Sequence, residues 1–152
     1  MTKLNLVIDT SLRQGSHCNF AYSFEKININ QYSMVQLKSL YIHHENDVNK
    51  IFNDQQETEV NRTFLKPLHV HCSLLNKDYN FFNSKKSDVL AVVYPPVDAP
   101  RNAAVTFVHK IDFEKGKTIC PNNYMQVQLT HSNGEIVEKR GKFYVVYEFQ
   151  FS

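Results

Sequence analysis

The sequence predicts an all-β domain of two stacked sheets, and three observations favour this class. Short apolar runs separated by turn residues recur along the chain, and each run is too short for a typical helix. Aromatic residues are abundant, with 11 Phe and 8 Tyr, and strands favour aromatic and β-branched side chains. No window shows the sustained helical spacing of apolar residues that an amphipathic helix requires.

The two most apolar runs lie near the middle of the chain, at Leu68–Leu75 and Val89–Tyr94. Runs of this length and composition are typical of buried strands, so we predict that both are central strands. The connection between them, Asn76–Ser87, is rich in Asn and Asp, which favour turns. It also carries three aromatic residues that are unusual in a loop: Tyr79, Phe81 and Phe82.

The other strands are predicted from alternation of apolar and polar residues, which has a period of two in a strand. Met34–His43 mixes its two faces, so we expect its buried face to change along its length. Tyr124–Thr130 alternates cleanly, which predicts that Thr130 points outward while three positions point inward: Met125, Val127 and Leu129. The remaining predicted strands are Lys3–Thr10, Asn19–Asn30 with a turn or bulge near Glu25, a short Glu59–Phe64, Ala104–Lys110 and Phe143–Phe151.

The strand count favours a single jelly-roll sandwich, in which two antiparallel sheets of about eight strands in total pack face to face. Asn133-Gly134 provides a strong hairpin signal before the last strand. A nine-stranded barrel or an immunoglobulin-like sandwich is the alternative, and the chain has no Trp for the signature of the latter. We predict one domain over residues 1–152, in which residues 1–23 form an N-terminal strand and loop that could act as an arm.

Composition argues against several classes of function. The 17 basic and 15 acidic residues give a formal charge of +2, without the concentrated basic footprint of a nucleic-acid-binding protein. Cys18, Cys72 and Cys120 form no CxxC pair, so we expect reduced thiols and a cytosolic or nuclear setting. No apolar run approaches the ~20 residues of a membrane span, and no signal peptide is recognisable at the start.

Catalytic motifs are absent from the sequence. It contains no P-loop, no GxGxxG and no GxSxG, and its Asp residues are scattered. Cys72 and His71 are neighbours in a predicted strand and therefore face opposite sides, so they form no local nucleophile pair. We predict that the protein is not an enzyme and needs no cofactor.

His69 and His71 are the nearest approach to a metal site. They stand two apart on one predicted strand, so both imidazoles share a face and could hold zinc or copper with a third ligand. His109 or Asp112 could supply that ligand from a neighbouring strand. The alternative, which we favour, is that both rings face solvent or an interface while Val70 and Cys72 face the core, and no metal binds.

The strand pattern as a whole resembles that of a known family. The segments are SMVQLKSLYIHH, a long loop, LHVHCSLLNKDYNFFNSKKSDVLAVVYPP, VTFVHKIDFEKGK, YMQVQLTHSNGEIV and a terminal FYVVYEFQF. From about Phe24 to Phe151 they resemble the small single-jelly-roll capsid proteins of polinton (Maverick)-type elements, adintoviruses and virophages. In that group the penton, or minor capsid, protein closes the capsid vertices.

The resemblance implies a structural protein of the virion, assembled in the host cytoplasm or nucleus. It implies a homopentamer at the five-fold vertex that contacts a major capsid protein. We expect the subunit contacts to come from the loops Asn46–Glu57 and Tyr79–Asn83, and the residues we single out there are Asn46, Phe52, Tyr79, Phe81 and Phe82. Those aromatic rings could equally cover the core of their own subunit.

Two other functions are compatible with a β-sandwich of this size. One is a trimeric ligand domain of the tumour-necrosis-factor or C1q type, for which secretion and an upstream stalk are expected and neither is visible. The other is a carbohydrate-binding module, which commonly presents exposed Trp or Tyr platforms, and this chain has no Trp. The number of subunits separates the first from a pentamer, and glycan binding reveals the second.

Overall fold

The computed structural model of the chain describes residues 2–45, 67–75, 78–79, 86–93, 105–110, 116–137 and 142–152, with the backbone alone described at 44–45, 78–79, 86–87, 105–110 and 142. The longer strands in these residues are β1 (Leu4–Asp9), β2 (Asn19–Ser23), β3 (Met34–Glu45), β4 (Leu68–Cys72), β7 (Val89–Val93), β8 (Val105–Lys110), β10 (Tyr124–His131) and β11 (Lys142–Phe151). Three two-residue strands are β5 (Asp78–Tyr79), β6 (Lys86–Ser87) and β9 (Lys117–Thr118). None of the described residues belongs to a helix long and apolar enough to cross a membrane.

The eight longer strands form two antiparallel sheets of four. The order is β1-β11-β3-β8 in the first sheet and β2-β10-β4-β7 in the second, with β9 added beside β3. Counted among these eight, the first strand pairs with the eighth, the second with the seventh, the third with the sixth and the fourth with the fifth. Such nested pairing is that of a long antiparallel hairpin rolled into two facing sheets, which is the jelly roll. The predicted single jelly-roll sandwich is confirmed.

The core lies between the two sheets and follows the predicted alternation. Phe143 at the start of β11 is partly buried, and seven further inward positions of β10 and β11 are fully buried, at 0% exposure: Met125, Val127, Leu129, Val145, Tyr147, Phe149 and Phe151. Aromatic edge-to-face contacts join the sheets, with ring centroids 5.5 Å apart for Phe20 and Tyr147 and 5.9 Å apart for Phe24 and Phe151. Burying each such side chain contributes roughly 1.5–3 kcal/mol, so these two strands form the hydrophobic centre of the domain.

The buried face of β3 changes where its register with β11 slips. Glu148 pairs with Ser39 and Phe149 with Leu37, so the register skips Lys38. Before this bulge the buried residues have one parity, and after it they have the other, which places four residues in the core: Val35, Leu37, Leu40 and Ile42. The predicted change of facing along this strand is confirmed, and its cause is one extra residue.

The second predicted central strand is located differently from the prediction. β4 lies inside the second sheet between β10 and β7, whereas β7 forms the end of that sheet in the described residues. The register of β7 also slips, since Val70 pairs with Ala91 but His71 pairs with Val89. Consecutive Leu90 and Ala91 are therefore both buried, which explains an apolar run that does not alternate.

Two connections differ from the sequence-based prediction in detail. Within Asn19–Asn30 a turn or bulge was expected near Glu25-Lys26, and a turn lies there after β2 ends at Ser23, but the part that follows is a 3₁₀ turn over Ile29–Gln31 rather than a strand. Ile29 is still buried, so the prediction located its environment correctly and its backbone conformation wrongly. At the predicted hairpin, Gly134 has φ +91° and its amide donates to the His131 carbonyl, which is the left-handed position of a three-residue hairpin loop.

The N-terminal strand is an integral part of the first sheet. β1 pairs with β11 over its whole length, from Leu4 opposite Phe151 to Asp9 opposite Val146. Between the two predicted central strands, the chain forms the short β5–β6 ladder, in which Tyr79 pairs with Lys86 through the backbone. The expected short strand Glu59–Phe64 lies outside the described residues.

Candidate functional site

A polar cluster lies on the outer face of the second sheet, around the two histidines of β4. Leu68, Val70 and Cys72 are buried in the core, and His69 and His71 alternate with them and are half-buried on the opposite face. The two rings share this face, as their spacing predicts, with centroids 6.3 Å apart and planes inclined by 46°.

His71 connects three neighbouring segments through its two ring nitrogens. Its Nδ1 lies 2.7 Å from Oδ1 of Asp88, which immediately precedes β7, and its Nε2 lies 2.8 Å from Oγ1 of Thr130 on β10. The backbone reinforces one side, because the Cys72 amide donates to the Asp88 carbonyl over 3.0 Å. The imidazole therefore cross-links β4, β7 and β10 on the side of the sheet that faces away from the core.

The chemistry of the two partners assigns the ring tautomer. An ionised carboxylate can only accept hydrogen bonds, so Nδ1 of His71 carries a proton and donates it to Asp88. In the neutral ring Nε2 is then the acceptor, and the Thr130 hydroxyl donates to it. A hydroxyl can rotate and can also accept, which satisfies both groups without a change in their positions.

Thr130 is the buried end of this network. Its position on the outer face agrees with the predicted alternation, yet only 2% of it is exposed to solvent. A carboxylate, an imidazole and a hydroxyl in series have the order of a nucleophilic triad. An attacking oxygen must reach a substrate, and a hydroxyl at 2% exposure is shielded from one, so the arrangement favours a cross-link between strands rather than catalysis.

The cysteine beside the network has the properties of a core residue. Cys72 is fully buried, and burial raises the pKa of its thiol to about 12. The thiolate is the nucleophilic form of cysteine, and this environment disfavours it strongly. Cys72 therefore behaves as a small apolar side chain beneath the outer face that carries His71.

His69 is the less constrained of the two histidines. Partial burial and, to a smaller extent, the neighbouring His71 ring lower its pKa, so the neutral ring is favoured. Within the described part of the chain, no three His, Cys, Asp or Glu side chains are close enough to hold a metal ion together. The third ligands considered from sequence, the side chain of His109 and the whole of Asp112, lie outside the described residues.

The predicted interface residues are mostly outside the described part of the structure. Asn46, Phe52, Phe81 and Phe82 fall there, and for Tyr79 only the backbone is described.

Sequence reasoning found His69 and His71 but missed Asp88 and Thr130 as their partners. Thr130 was predicted to point outward, and Asp88 stands directly before an apolar run. The signal would have been polar residues that lie beside the histidines on neighbouring strands. Which residues are neighbours depends on the strand register, and the register is known only from the folded sheet.

The outer face of the second sheet carries no charged residue at the outward positions of its described strands. On β2, β10, β4 and β7 these positions are Asn19, Ala21, Ser23, Tyr124, Gln126, Gln128, Thr130, His69, His71, Val89 and Val92. Gln126 and Gln128 donate to Asn19 Oδ1 over 2.9 and 3.4 Å, and Tyr124 is 52% exposed. This face therefore presents mainly amide, imidazole, hydroxyl and aromatic groups, and the Asp88 carboxylate lies beside His71 just before β7.

The first sheet has a similar amide ladder on a face that includes charges. Gln36 donates to Gln150 over 2.9 Å, and Gln150 donates to Asn5 over 3.0 Å, so the ladder spans β3, β11 and β1. Lys38 and Glu148 lie on the same outer face. On both outer faces, amide side chains therefore link neighbouring strands through hydrogen bonds.

The chain matches no protein-family model and no curated protein. A functional proposal must therefore rest on its fold, its surfaces and its strand pattern.

Proposed function

We propose that the protein is a structural capsid subunit of the penton, or minor capsid, type that self-assembles as a pentamer and contacts a major capsid protein. The observation that carries the proposal is the nested strand order, β1-β11-β3-β8 facing β2-β10-β4-β7. It is the single jelly roll that the resemblance to polinton, adintovirus and virophage capsid proteins implies. Because one fold can host many functions, surface properties and assembly must decide the rest.

Three features of the surface support a role in assembly. The outer face of the second sheet is neutral at its outward positions, and the centres of protein interfaces are depleted in charged residues. Amide groups there can both donate and accept, which suits contact with another polar surface. Exposed apolar side chains add contact area at other positions, with Val7 56% and Leu12 95% exposed.

The shape of the domain supports a ring. A rigid sandwich has different surfaces on its two sides, so contact of one side with the other side of the next copy is heterologous and closes when the rotation is right. The loops Asn46–Glu57 and Tyr79–Asn83 remain the proposed additional contacts. Burying Tyr79, Phe81 and Phe82 there would stabilise the ring at about 25 cal/mol per Å² of apolar area, before the costs of association.

The native mass of the purified chain tests the proposal. One chain is 17.8 kDa, so a pentamer has a mass of about 89 kDa and a trimer about 53 kDa. Light scattering and mass photometry over a range of concentrations should give the pentamer. A strict monomer at high concentration contradicts self-assembly, and a trimer favours the receptor-ligand alternative.

A carbohydrate-binding module is the second candidate, and the amide-rich outer face of the second sheet favours it. Amide groups bind sugar hydroxyls, and the exposed ring of Tyr124 could stack on a sugar face. A glycan array with the wild type and Tyr124→Ala tests this candidate. Binding that the variant loses supports it, whereas an array without signal removes it and leaves the capsid proposal unaffected.

A further inference from the structure

The outer face around β4 surrounds the histidine pair seen in the sequence with a second set of groups that the sequence does not show, Asp88 and Thr130. In metal sites, a ligating histidine commonly donates its second ring N–H to a carboxylate, which fixes the tautomer and raises the basicity of the ligating nitrogen. Asp88 occupies this position relative to His71, at 2.7 Å from Nδ1. Nε2 of His71 is thus the nitrogen whose lone pair could bind a metal ion, in place of the hydrogen bond that it accepts from the Thr130 hydroxyl.

His69 provides the second imidazole. It stands on the same face of the same strand, two residues away, and the ring centroids are 6.3 Å apart. Metal–nitrogen distances of about 2.0–2.1 Å and ligand angles of about 90–110° place two ring centroids roughly 4.5–5.3 Å apart. The observed separation is about 1 Å longer, so the two rings must move toward each other by about that distance to share an ion.

We propose that His69 and His71 together bind one late first-row divalent cation, such as Ni²⁺, Cu²⁺ or Zn²⁺, with Asp88 orienting His71. Imidazole nitrogens suit these ions. With two protein ligands, and no group of three within the described residues, water completes the coordination shell. The proposal is independent of the capsid assignment, because the pair lies within a single chain.

Thr130 gives the proposal a distinctive prediction. Its hydroxyl competes with the metal for Nε2 of His71, so removing the hydroxyl should strengthen metal binding. Thr130→Val keeps the shape of this buried side chain and removes only the hydrogen bond to the ring. A purely structural role of the network predicts no gain in metal affinity from this change.

The experiment is a calorimetric titration of the full chain with Ni²⁺ at pH 7.5, a metal that does not oxidise the exposed Cys120 thiol. We expect one ion per chain, at least tenfold weaker binding in His69→Gln and in His71→Gln, and tighter binding in Thr130→Val. His131→Gln removes a histidine outside the pair and should bind as the wild type does. The absence of saturable binding at millimolar Ni²⁺, or wild-type affinity in both His69→Gln and His71→Gln, overturns the proposal.

A second measurement covers the case in which a variant loses its fold, as judged by near-UV circular dichroism. Paramagnetic Ni²⁺ added to the wild type broadens the NMR signals of the rings that it binds. Selective loss of the His69 and His71 ring signals at low metal ratios supports the site. Earlier loss of signals from other histidines overturns it.

Discussion

Thr10 binds the backbone of Val145 through three hydrogen bonds at the end of β1. The Thr10 amide and hydroxyl both donate to the Val145 carbonyl, over 3.0 and 2.7 Å, and the Val145 amide donates to the Thr10 hydroxyl over 2.9 Å. Both residues are fully buried, at 0% exposure. The hydroxyl thus satisfies backbone groups of β11 at the point where β1 no longer supplies partners.

Thr10→Val should therefore destabilise the protein. It removes the hydroxyl and leaves the buried Val145 amide without its partner, which costs about 1–3 kcal/mol. Urea denaturation at pH 7 measures the loss as a lower midpoint. Thr118→Val, at an exposed position of β9, is the matched control and should change the free energy of unfolding by less than about 0.5 kcal/mol. Equal stability of the two variants would contradict the role of Thr10.

The bulge at Lys38 predicts that a deletion is far more harmful than a substitution. Without Lys38 the strand must slip by one residue on one side of the bulge, which turns Leu40 and Ile42, or Val35 and Leu37, away from the core. The expected loss is at least about 3 kcal/mol, because two buried aliphatic side chains become exposed. Thermal and urea unfolding measure it.

Lys38→Ala is the control for this deletion. It keeps the number of residues in the bulge and removes only a half-buried side chain, so we expect a loss below about 1 kcal/mol. A deletion variant as stable as Lys38→Ala would show that the bulge does not determine which residues face the core.

The lowered pKa of His69 predicts a loss of stability in acid. Since the folded-state pKa lies below the ordinary value of 6.5, the unfolded chain binds more protons in mildly acidic solution. The contribution of His69 is therefore fully present above pH 6.5 and is lost as the pH falls below that value. His69→Gln should show a smaller decrease in the free energy of unfolding between pH 7.5 and pH 5.5.

Urea titrations at several pH values measure this difference. Gln126→Asn changes an exposed, non-titrating neighbour on the same outer face and should keep the pH dependence of the wild type. If His69→Gln retains the full wild-type decrease in acid, other groups cause the acid sensitivity.

The proposed subunit interface predicts a change in mass without a loss of fold. A Phe81→Asp/Phe82→Asp variant should remain folded and sediment as a 17.8-kDa monomer, because two charges replace apolar contact area between subunits. Lys85→Asp places a negative charge in the same connection without removing a ring and should assemble as the wild type does. An unfolded double variant would instead indicate that these rings cover the core of their own subunit.

Much of the fold could be predicted because alternation is a local property. Met125, Val127 and Leu129 were expected to point inward and are fully buried, and the hairpin at Asn133-Gly134 forms where it was predicted. The prediction was less accurate where more than one backbone conformation can bury the same residue. Ile29 is buried from a 3₁₀ turn rather than from a strand, since an apolar residue can reach the core from either conformation.

Only half of the candidate site could be predicted, because local spacing locates the two histidines but not their partners from distant segments. The spacing of His69 and His71 places them on one face, but it says nothing about the residues beside them. Thr130 is 59 residues away from His71 along the chain, and only the pairing of β4 with β10 brings it to the Nε2 atom of His71. Asp88 reaches Nδ1 because its segment returns beside β4 to form β7.

The amino-acid sequence by itself determined the class of fold, the approximate positions of the strands and the side chains that enter the core, because side-chain direction in a strand repeats every two residues. The tertiary structure decided which strands pair, as in β1 beside β11 at opposite ends of the chain. It also decided where Lys38 shifts the register and which groups surround His71. Pairing and register depend on contacts between distant segments, and no local pattern of residues specifies them.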